Sequence, residues 1–231
     1  MESIKTMNDF KIPQFTFISI PEQDEFVRQK EAESERERQL ELLAKKKQEF
    51  ESSGVPKRYW NESFNTWKTR NKDDEIRLQI VIEYSRQKSN DSVLLLLEPK
   101  GVGKTHLGAS IIREAGGTFI SVEEMIFKYE CSMDFHSETN RVNLMNFYST
   151  TTMLVIDEID RSMQQAKEYA ILNYILRRRY ENMLPTVLIS NPKKEDLLKK
   201  LGDAVVDRLT ETCKSVEFIG ESYRLGKRKI A

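Results

Sequence analysis

The segment Glu98-Pro-Lys-Gly-Val-Gly-Lys-Thr105 follows the apolar run Val93–Leu97 and constrains the fold more than any other part of the chain. An apolar run of this length that ends in a turn signal predicts a buried strand, and residues 105–115 have the pattern of a helix. When a glycine-containing turn joins such a strand to a helix, backbone N–H groups and the helix N-terminus face one point and bind an anion there. The sequence therefore predicts a phosphate-binding loop within an α/β domain.

One position of this loop departs from the P-loop pattern G-x-x-x-x-G-K-[ST]. Gly103, Lys104 and Thr105 fit the pattern, whereas Glu98 replaces its first glycine. A carboxylate facing a triphosphate would repel it, so we expect the Glu98 side chain to point away and its backbone alone to form the turn. The residues predicted to hold the nucleotide are Glu98, Pro99, Lys100, Gly101, Val102, Gly103, Lys104, Thr105 and His106.

Two acids follow a second apolar run. Residues 153–156 predict a buried strand, and Asp157 and Glu158 come directly after it. Ligands gather at the carboxyl ends of parallel strands, so both carboxylates should lie beside the phosphate loop. We predict that Asp157 and the hydroxyl of Thr105 hold Mg²⁺ and that Glu158 polarises the attacking water. A strand followed by acids is common by itself, but its position about fifty residues after the P-loop supports this interpretation.

Two further polar residues complete the predicted site. Residues 186–190 have the pattern of a strand, and the amide of Asn191 at its end is suited to orient water against the γ-phosphate. Asn191-Pro192 taken alone is only a turn signal. Arg208 lies far along the chain from the P-loop, and arginine is well suited to stabilise charge on a transferring phosphoryl group. Arg208 therefore either reaches the nucleotide of a neighbouring subunit or forms an ordinary salt bridge.

The beginning of the chain differs from the rest in character. Residues 10–20 are largely apolar, with prolines bracketing most of them, which predicts an extended segment. Residues 22–51 form helix readily but have few apolar positions, and Ser52-Ser53-Gly54 ends that helix. We interpret residues 1–52 as a partner-binding arm and residues 53–231 as the nucleotide-binding domain; an arm that only extends into solvent is the alternative. The apolar positions of the arm helix are chiefly Phe26, Val27, Leu40, Leu42, Leu43 and Phe50.

Three local patterns give expectations about the fold. Asp73 or Asp74 is predicted to cap a helix with an apolar stripe, and residues 216–219 are predicted to form the last strand. Three consecutive arginines end a long amphipathic helix and form either a nucleic-acid patch or a solvated cap on the helix dipole. The stripe consists of Ile76, Ile80, Val81 and Tyr84, and the arginines are Arg177, Arg178 and Arg179.

Composition limits the compartment and the partners. Lysine plus arginine and aspartate plus glutamate number 37 each, so any contact with nucleic acid must come from a local patch. No apolar run approaches the roughly 18 residues of a membrane span, and the N-terminus does not resemble a signal peptide. Cys131 and Cys213 lie far apart, outside any disulfide or zinc pattern. These features predict a cytoplasmic protein with reduced thiols and no membrane contact.

Taken together, these motifs resemble the AAA+ ATPases of the DnaC/DnaI helicase-loader and IstB group. The resemblance covers residues 54–224, with the motifs in order and at compatible spacings. The residues that carry it are Gly54-Val-Pro-Lys-Arg-Tyr59, Ser63-Phe64, Gly101-Val-Gly-Lys-Thr-His-Leu107, Leu154-Val-Ile-Asp-Glu-Ile159, Arg179-Tyr180, Pro185-Thr186, Ser190-Asn191, Leu201-Gly202, Asp207-Arg208-Leu209 and Ser222-Tyr-Arg224.

The resemblance implies a P-loop NTPase with a three-layer core around a five-stranded parallel sheet, and ATP and Mg²⁺ as cofactors. Because the chain ends soon after Arg224, we expect no C-terminal lid domain. Residues 123–149 would form a helical insertion that touches single-stranded DNA. The implied roles are Walker B for Asp157 and Glu158, sensor 1 for Asn191, arginine finger for Arg208 and a substitute for sensor 2 for Arg224.

The resemblance also implies a function. The expected protein is a weak, partner- or DNA-stimulated ATPase that holds a hexameric replicative helicase through residues 1–52 and places it on single-stranded DNA. It would self-associate through its ATP sites. Two alternatives stay open: an IstB-like transposition ATPase that acts on duplex DNA, and a non-catalytic nucleotide-sensing adaptor in which Glu98 has weakened turnover.

Overall fold

The computed structural model describes residues 20–86, 93–97, 99–132, 140–161, 166–220 and 222–223. Three sequence predictions lie outside these residues, namely the extended segment before residue 20, the side chain of Glu98 and the position of Arg224. Within the described part of the chain, no helix is both long and apolar enough to cross a membrane.

The chain divides into two compact units, residues 1–46 and residues 47–231. Helix α1, Ile20–Ser52, begins in the first unit and ends in the second, and it agrees with the helix predicted over residues 22–51. Most of its apolar side chains are exposed, as a helix that is polar nearly all round requires. The exposed residues are Phe26, Val27, Leu40, Leu42 and Leu43.

Phe50 departs from the other apolar residues of α1 because it is buried in the core of the second unit. The guanidinium of Arg113 lies 4.0 Å from the centre of its ring and also donates to the backbone oxygens of Trp60 and Glu62. The last turn of α1 is therefore part of the second unit. Gly54 follows the end of α1, and its φ of 88° lies in the left-handed region that favours glycine.

Five parallel strands form one sheet, as predicted. Their order across the sheet is β2-β3-β4-β1-β5, so the strand that precedes the P-loop lies between β4 and β5. Parallel strands that are buried on both faces have continuous apolar sequences, which explains the runs in β1 and β3. The strands are β1 Val93–Leu97, β2 Thr118–Ser121, β3 Leu154–Asp157, β4 Thr186–Ile189 and β5 Cys213–Glu217.

Helices cover both faces of the sheet and complete three layers. Leu95 and Leu97 of β1 pack into one hydrophobic cluster with α4 to α8, whereas Leu94 and Leu96 pack into a second cluster with α2, α3 and the end of α1. This alternation follows from the two-residue period of a strand. The helices are α2 Lys72–Arg86, α3 Lys104–Ala115, α4 Val122–Cys131, α5 Arg141–Thr150, α6 Ala166–Glu181, α7 Lys194–Leu201 and α8 Asp203–Thr212.

The start of α2 differs from the prediction. Asn71, not Asp73 or Asp74, caps this helix, because its side-chain oxygen accepts a 2.9 Å hydrogen bond from the backbone N–H of Asp74. The Asp74 carboxylate is buried and pairs with Arg77 at 3.2 Å. Ile76, assigned to the apolar stripe, is 53% exposed.

The last strand also differs from the prediction. β5 begins at Cys213 rather than at residue 216, because its pairing with β1 begins opposite Val93. Lys214 and Ser215 are polar, so the sequence around them has no strand pattern. The strand forms because β1 supplies hydrogen-bond partners along its full length. Pairing continues past the strand, since the N–H of Phe218 donates to the oxygen of Leu97 at 3.0 Å.

Arg179 is a buried structural residue, so neither reading of the arginine run holds for it. Its side chain is 1% exposed. It donates to Thr186 Oγ1 at 2.8 Å and to the backbone oxygens of Tyr148, Thr151 and Pro185 at 2.9, 2.8 and 2.7 Å. Burial lowers the pKa of Arg179 to about 10. The two preceding arginines remain half exposed and pair with an acid on the same helix.

Candidate functional site

The carboxyl ends of three neighbouring strands bring the predicted site residues together. Lys104 follows β1, Asp157 ends β3, and Asn191 comes just after β4, which lies between these two strands. β4 pairs directly with β3, the strand that bears the acids. Three residues separated by up to 87 positions in the chain thus form one polar site.

The phosphate loop has the backbone that its glycines predict. Gly101 and Gly103 have φ angles of 85° and 101°, in the left-handed region. A Cβ at Gly103 would also lie 2.6 Å from Trp67 Nε1, so any larger residue would collide with the indole. Lys104 is buried at 5% exposure, and its ammonium donates to the oxygen of Pro99 at 2.8 Å and to Asn191 Oδ1 at 3.3 Å. The loop therefore directs its lysine toward β4.

Asp157 and Thr105 form a direct contact. Thr105 Oγ1 donates to Asp157 Oδ2 at 2.8 Å, and the backbone N–H of Glu158 donates to Oδ1 at 2.8 Å. Burial raises the pKa of the Asp157 carboxyl, against the lowering effect of these hydrogen bonds and of Lys104. A carboxylate and a hydroxyl on one side fit Mg²⁺, which takes its remaining ligands from water and phosphate. Within the described ranges, no cluster of three or more His, Cys, Asp or Glu would hold a metal by itself.

Glu158 has an uncommon backbone conformation. Its φ of 55° lies in the left-handed region, which non-glycine residues adopt mainly at turns and functional sites. Its carboxylate pairs with Arg161 at 3.0 Å, and Arg161 also lies 3.8 Å from Glu123 at the start of α4. Desolvation raises the pKa of Glu158, and the nearby Arg161 opposes this shift.

Asp160 is a site residue that the sequence did not indicate. It lies in the 3-10 turn Ile159–Arg161 and accepts hydrogen bonds from both the backbone and the side chain of Asn191. Its partner is 31 positions further along the chain, so neither periodicity nor a local motif could reveal this pair. An acid close behind the two predicted site acids was the only available signal.

His106 is predicted to bind nucleotide, but its side chain is directed elsewhere. The ring lies 2.8 Å from the oxygen of Ser63, 3.2 Å from Thr66 Oγ1 and 3.4 Å from the carboxylate of Glu62. These contacts attach α3 to the segment before α2. Only the backbone of His106 stays in the phosphate loop.

The end of the described chain returns to the phosphate loop. The N–H of Tyr223 donates to the oxygen of Gly101 at 3.0 Å, and its hydroxyl donates to the oxygen of Lys68. The guanidinium of Arg70 lies 4.0 Å from the centre of the Tyr223 ring. A Cβ at Gly101 would collide with Ser222, so this glycine is required by the close approach of the two segments.

Arg208 lies at the amino ends of the parallel strands, whereas Lys104 lies at their carboxyl ends. It is on α8, which leads into the first residue of β5, and its guanidinium lies 5.9 Å from the centre of the Tyr180 ring. A shallow cavity there is lined by Arg208 together with Val93 and Thr186, the first residues of β1 and β4. The five residues of β1 separate the amino and carboxyl ends of this strand by about 13 Å. The structure therefore does not bring Arg208 to the phosphate loop of its own chain.

Helices α4 and α5 occupy most of the predicted insertion over residues 123–149. They expose Phe127 and Phe147, at 65% and 52%. Two cations lie on the same helices: Lys128, which follows Phe127 and pairs with Glu124 at 2.8 Å, and Arg141, which lies 5.4 Å from the centre of the Tyr129 ring. Exposed aromatic rings beside cations can stack nucleic-acid bases.

Comparisons with known proteins give a family. Residues 26–231 match the model of the family described as IstB-like ATP binding protein. The replicative helicase loader DnaC of Escherichia coli K12 is 28% identical over 166 residues, covering 69% of this chain and 67% of that protein. DnaC of Buchnera aphidicola from Acyrthosiphon pisum is 24% identical over 163 residues, or 68% and 66%. A protein of insertion sequence IS5376 of Geobacillus stearothermophilus, described as ATP-binding, is 28% identical over 165 residues, or 67% and 63%.

Solved structures share the fold. The crystal structure of the DnaC helicase loader has a TM-score of 0.63 at 22% identity and covers 71% of this chain and 100% of its own. The structure of DnaI has a TM-score of 0.58 at 19% identity, covering 72% and 93%. The replication initiator DnaA bound to AMPPCP and single-stranded DNA has a TM-score of 0.59 at 17% identity, covering 72% and 51%.

Proposed function

Since the chain belongs to the IstB-like ATP-binding proteins, in the DnaC/IstB-type group of AAA+ proteins, we propose that it is an ATP-dependent loader of a replicative helicase. It holds the hexameric helicase through its N-terminal arm and delivers it to single-stranded DNA. The observation that carries the ATP-dependent part is the convergence of Lys104, Asp157 and Asn191 at one edge of the sheet. The choice of partner follows the relatives that are named replicative helicase loaders.

The site residues have distinct roles in the proposed hydrolysis. Lys104 exchanges its backbone acceptor for the β- and γ-phosphates. Asp157 and Thr105 hold Mg²⁺, which when bound neutralises phosphate charge. Glu158 accepts a proton from the attacking water once it is released from Arg161, and Asn191 orients that water. The ring of His106 takes no part.

Two arginines act at different places in this proposal. Arg208 stabilises the transferring phosphoryl group of a neighbouring protomer, because it lies a strand length away from the phosphate loop of its own chain. ATP binding thereby drives self-association, and hydrolysis releases it. Arg224 acts as a substitute for sensor 2, which is supported by the hydrogen bond that joins the preceding Tyr223 to Gly101 of the loop.

The proposed partner contacts use two exposed apolar surfaces. On α1, Leu40 and Leu43 lie one helical turn apart and are 57% and 63% exposed, which suits insertion into a groove of a helicase subunit. On α4 and α5, Phe127 and Phe147 offer stacking surfaces for single-stranded DNA. The two surfaces predict separable defects.

Co-elution with the replicative helicase of the source cell tests the proposal. The wild-type chain should co-elute with the hexamer, and the Leu40→Ser, Leu43→Ser variant should not, while it retains ATP binding. Ile76→Ser, which alters an apolar residue on α2 that is also more than half exposed, is the control and should co-elute. Failure of the wild type to co-elute under any nucleotide condition would exclude the loader function.

Deletion of the arm needs a boundary that the structure sets. Removing residues 1–52 would also remove Phe50 from the core of the second unit. A deletion of residues 1–46 keeps that unit intact and should abolish co-elution while leaving ATP affinity unchanged. This choice separates loss of a partner contact from loss of folding.

A transposition ATPase is the second candidate, because the relative from insertion sequence IS5376 has the same 28% identity to this chain as DnaC of Escherichia coli. It would assemble on duplex DNA and activate a transposase. ATPase assays with equal lengths of single- and double-stranded DNA distinguish the two, since a loader responds to the single strand. The nucleotide-sensing adaptor predicts ATP binding with no turnover on either DNA.

A further inference from the structure

We propose that Asp160 is a positioning residue for ATP hydrolysis because it fixes the orientation of the Asn191 amide. This role rests on the proposed ATPase function, in which Asn191 orients the attacking water. Asp160 lies in the 3-10 turn directly after β3, so the strand that supplies the acids also supplies the residue that contacts Asn191 at the end of β4.

Three donors from two consecutive residues converge on the Asp160 carboxylate. Its Oδ1 accepts the backbone N–H of Asn191 at 3.1 Å and the hydroxyl of Ser190, a fully buried residue, at 3.2 Å. Asn191 Nδ2 lies 3.3 Å from each carboxylate oxygen. The turn is itself held from the other side, because Lys200 donates to the backbone oxygen of Asp160 at 3.3 Å. Several hydrogen bonds to one carboxylate define its position far better than one would.

The charges on either side of Asn191 specify which end of its amide faces which neighbour. An ionised carboxylate only accepts hydrogen bonds, so it must face the Nδ2 end. The ammonium of Lys104 only donates, and it lies 3.3 Å from the Oδ1 end. Both neighbours therefore favour the same orientation of a side chain whose two ends are alike in shape. Asp160, Asn191 and Lys104 form a continuous polar chain from the turn to the phosphate loop.

This orientation matters because the two ends of the amide have opposite polarity. With Nδ2 held near Asp160, the amide N–H groups lie on the side of β3, where Asp157 and Glu158 also lie. A rotated amide would place its oxygen there and withdraw the acceptor from Lys104. Asn191 would then repel the oxygen atoms that it has to orient.

The isosteric variant Asp160→Asn tests this role in the full-length chain. Asparagine at residue 160 can present either an oxygen or an NH₂ group, so it no longer specifies the orientation of Asn191. Single-turnover hydrolysis at saturating ATP and Mg²⁺ should slow by about 10- to 100-fold, as expected for a misplaced catalytic group. The Kd for ATP should stay within about twofold of the wild type. Asp196→Asn, the same change at an exposed acid on α7, should leave turnover unchanged.

A double-mutant cycle with Asn191→Ala separates positioning from a general structural effect. If Asp160 acts through Asn191, adding Asp160→Asn to Asn191→Ala should lower turnover no further. The proposal would be overturned if the Asp160→Asn variant turned over like the wild type. It would also be overturned if the two substitutions lowered turnover independently in the double variant, or if the loss of turnover came with a lowered thermal unfolding midpoint. A wild-type chain that binds ATP without hydrolysing it would instead overturn the proposed ATPase function, and this role with it.

Discussion

Thr105 Oγ1 and Asp157 Oδ2 lie 2.8 Å apart, so the hydroxyl on the P-loop helix touches the carboxylate that ends β3. One group belongs to the first turn of α3, and the other ends a strand that is separated from β1 by β4. Their contact aligns the two halves of the proposed magnesium site within the folded chain. It also buries a carboxylate, which has an energetic cost.

The buried Asp157 carboxylate should limit the stability of the nucleotide-free protein at neutral pH. Burial raises its pKa above the ordinary value of 3.8, so its favourable contribution is complete below that value and is lost as the pH rises through the raised pKa. Asp157→Asn should therefore raise the free energy of unfolding at pH 7 by on the order of 1 kcal/mol. Denaturant titration should show the gain shrinking as the pH is lowered. A less stable variant at pH 7 would contradict this account, and Asp196→Asn is the control.

Lys104→Ala should weaken ATP binding by about 100-fold, because it removes a charge-assisted hydrogen bond to the phosphates. Titration with a fluorescent ATP analogue measures the effect. Lys128→Ala, which removes an exposed lysine from α4, should leave the affinity unchanged. Equal affinities for the wild type and the Lys104→Ala variant would place the nucleotide somewhere other than this loop.

Glu158→Gln should keep ATP affinity within about twofold and lower kcat by about 10²- to 10⁴-fold, the range for loss of a general base. Glutamine keeps the size of the side chain but cannot accept the proton. Steady-state phosphate release measures kcat, and Glu195→Gln on α7 is an exposed control. Unchanged turnover would assign the base to another residue and favour a different arrangement of the water.

Arg208→Ala should abolish turnover in self-associated protein without lowering ATP affinity in the isolated chain. If the arginine acts on a neighbouring protomer, mixing Arg208→Ala with Glu158→Gln should restore activity at about a quarter of the sites by random assortment. Arg178→Ala, on α6, should behave as the wild type. If both variants associate but the mixture stays inactive, Arg208 acts on the nucleotide of its own chain or serves only to stabilise the fold.

Arg179→Met should destabilise the fold by about 3 kcal/mol or more, because four oxygens at buried or part-buried positions lose their donor. Urea denaturation followed by circular dichroism measures the loss. Arg178→Met removes a half-exposed arginine from the adjacent position and should change stability by less than about 0.5 kcal/mol. Similar losses for the two variants would contradict the structural role of Arg179.

The sequence predicted those parts of the fold in which local pattern and burial agree. The apolar run of β1 and the two glycines of the loop specified a strand and a turn. Ser121, which precedes two glutamates, is a local cap signal of the same kind, and its side chain accepts from the N–H of Glu124 at the start of α4. The start of β5 was predicted wrongly because Lys214 and Ser215 have no strand pattern of their own. Their strand forms because β1 offers backbone partners, and a partner strand more than a hundred residues away leaves no periodic signal.

The candidate site was predictable to the extent that chemistry followed a motif. Asp157 and Asn191 end strands, and strand order then brings them close to Lys104. The contact between Asp160 and Asn191 depends on the path of a single turn, which the sequence does not encode as a pattern. The burial of Arg179 was hidden for a related reason, because its partners are three backbone oxygens and one threonine hydroxyl rather than acidic side chains.

The continuity of α1 with the core through Phe50 has an evolutionary consequence. A recombination event that exchanged arms between two members of this family would leave the ATP-binding core unchanged if its junction fell before Lys47. A junction at Ser53-Gly54, where the helix signal ends in the sequence, would replace Phe50 and place a residue of the other protein against Arg113 on α3. Selection for new partners should therefore act on residues before Lys47, while Phe50 and Arg113 change together or not at all.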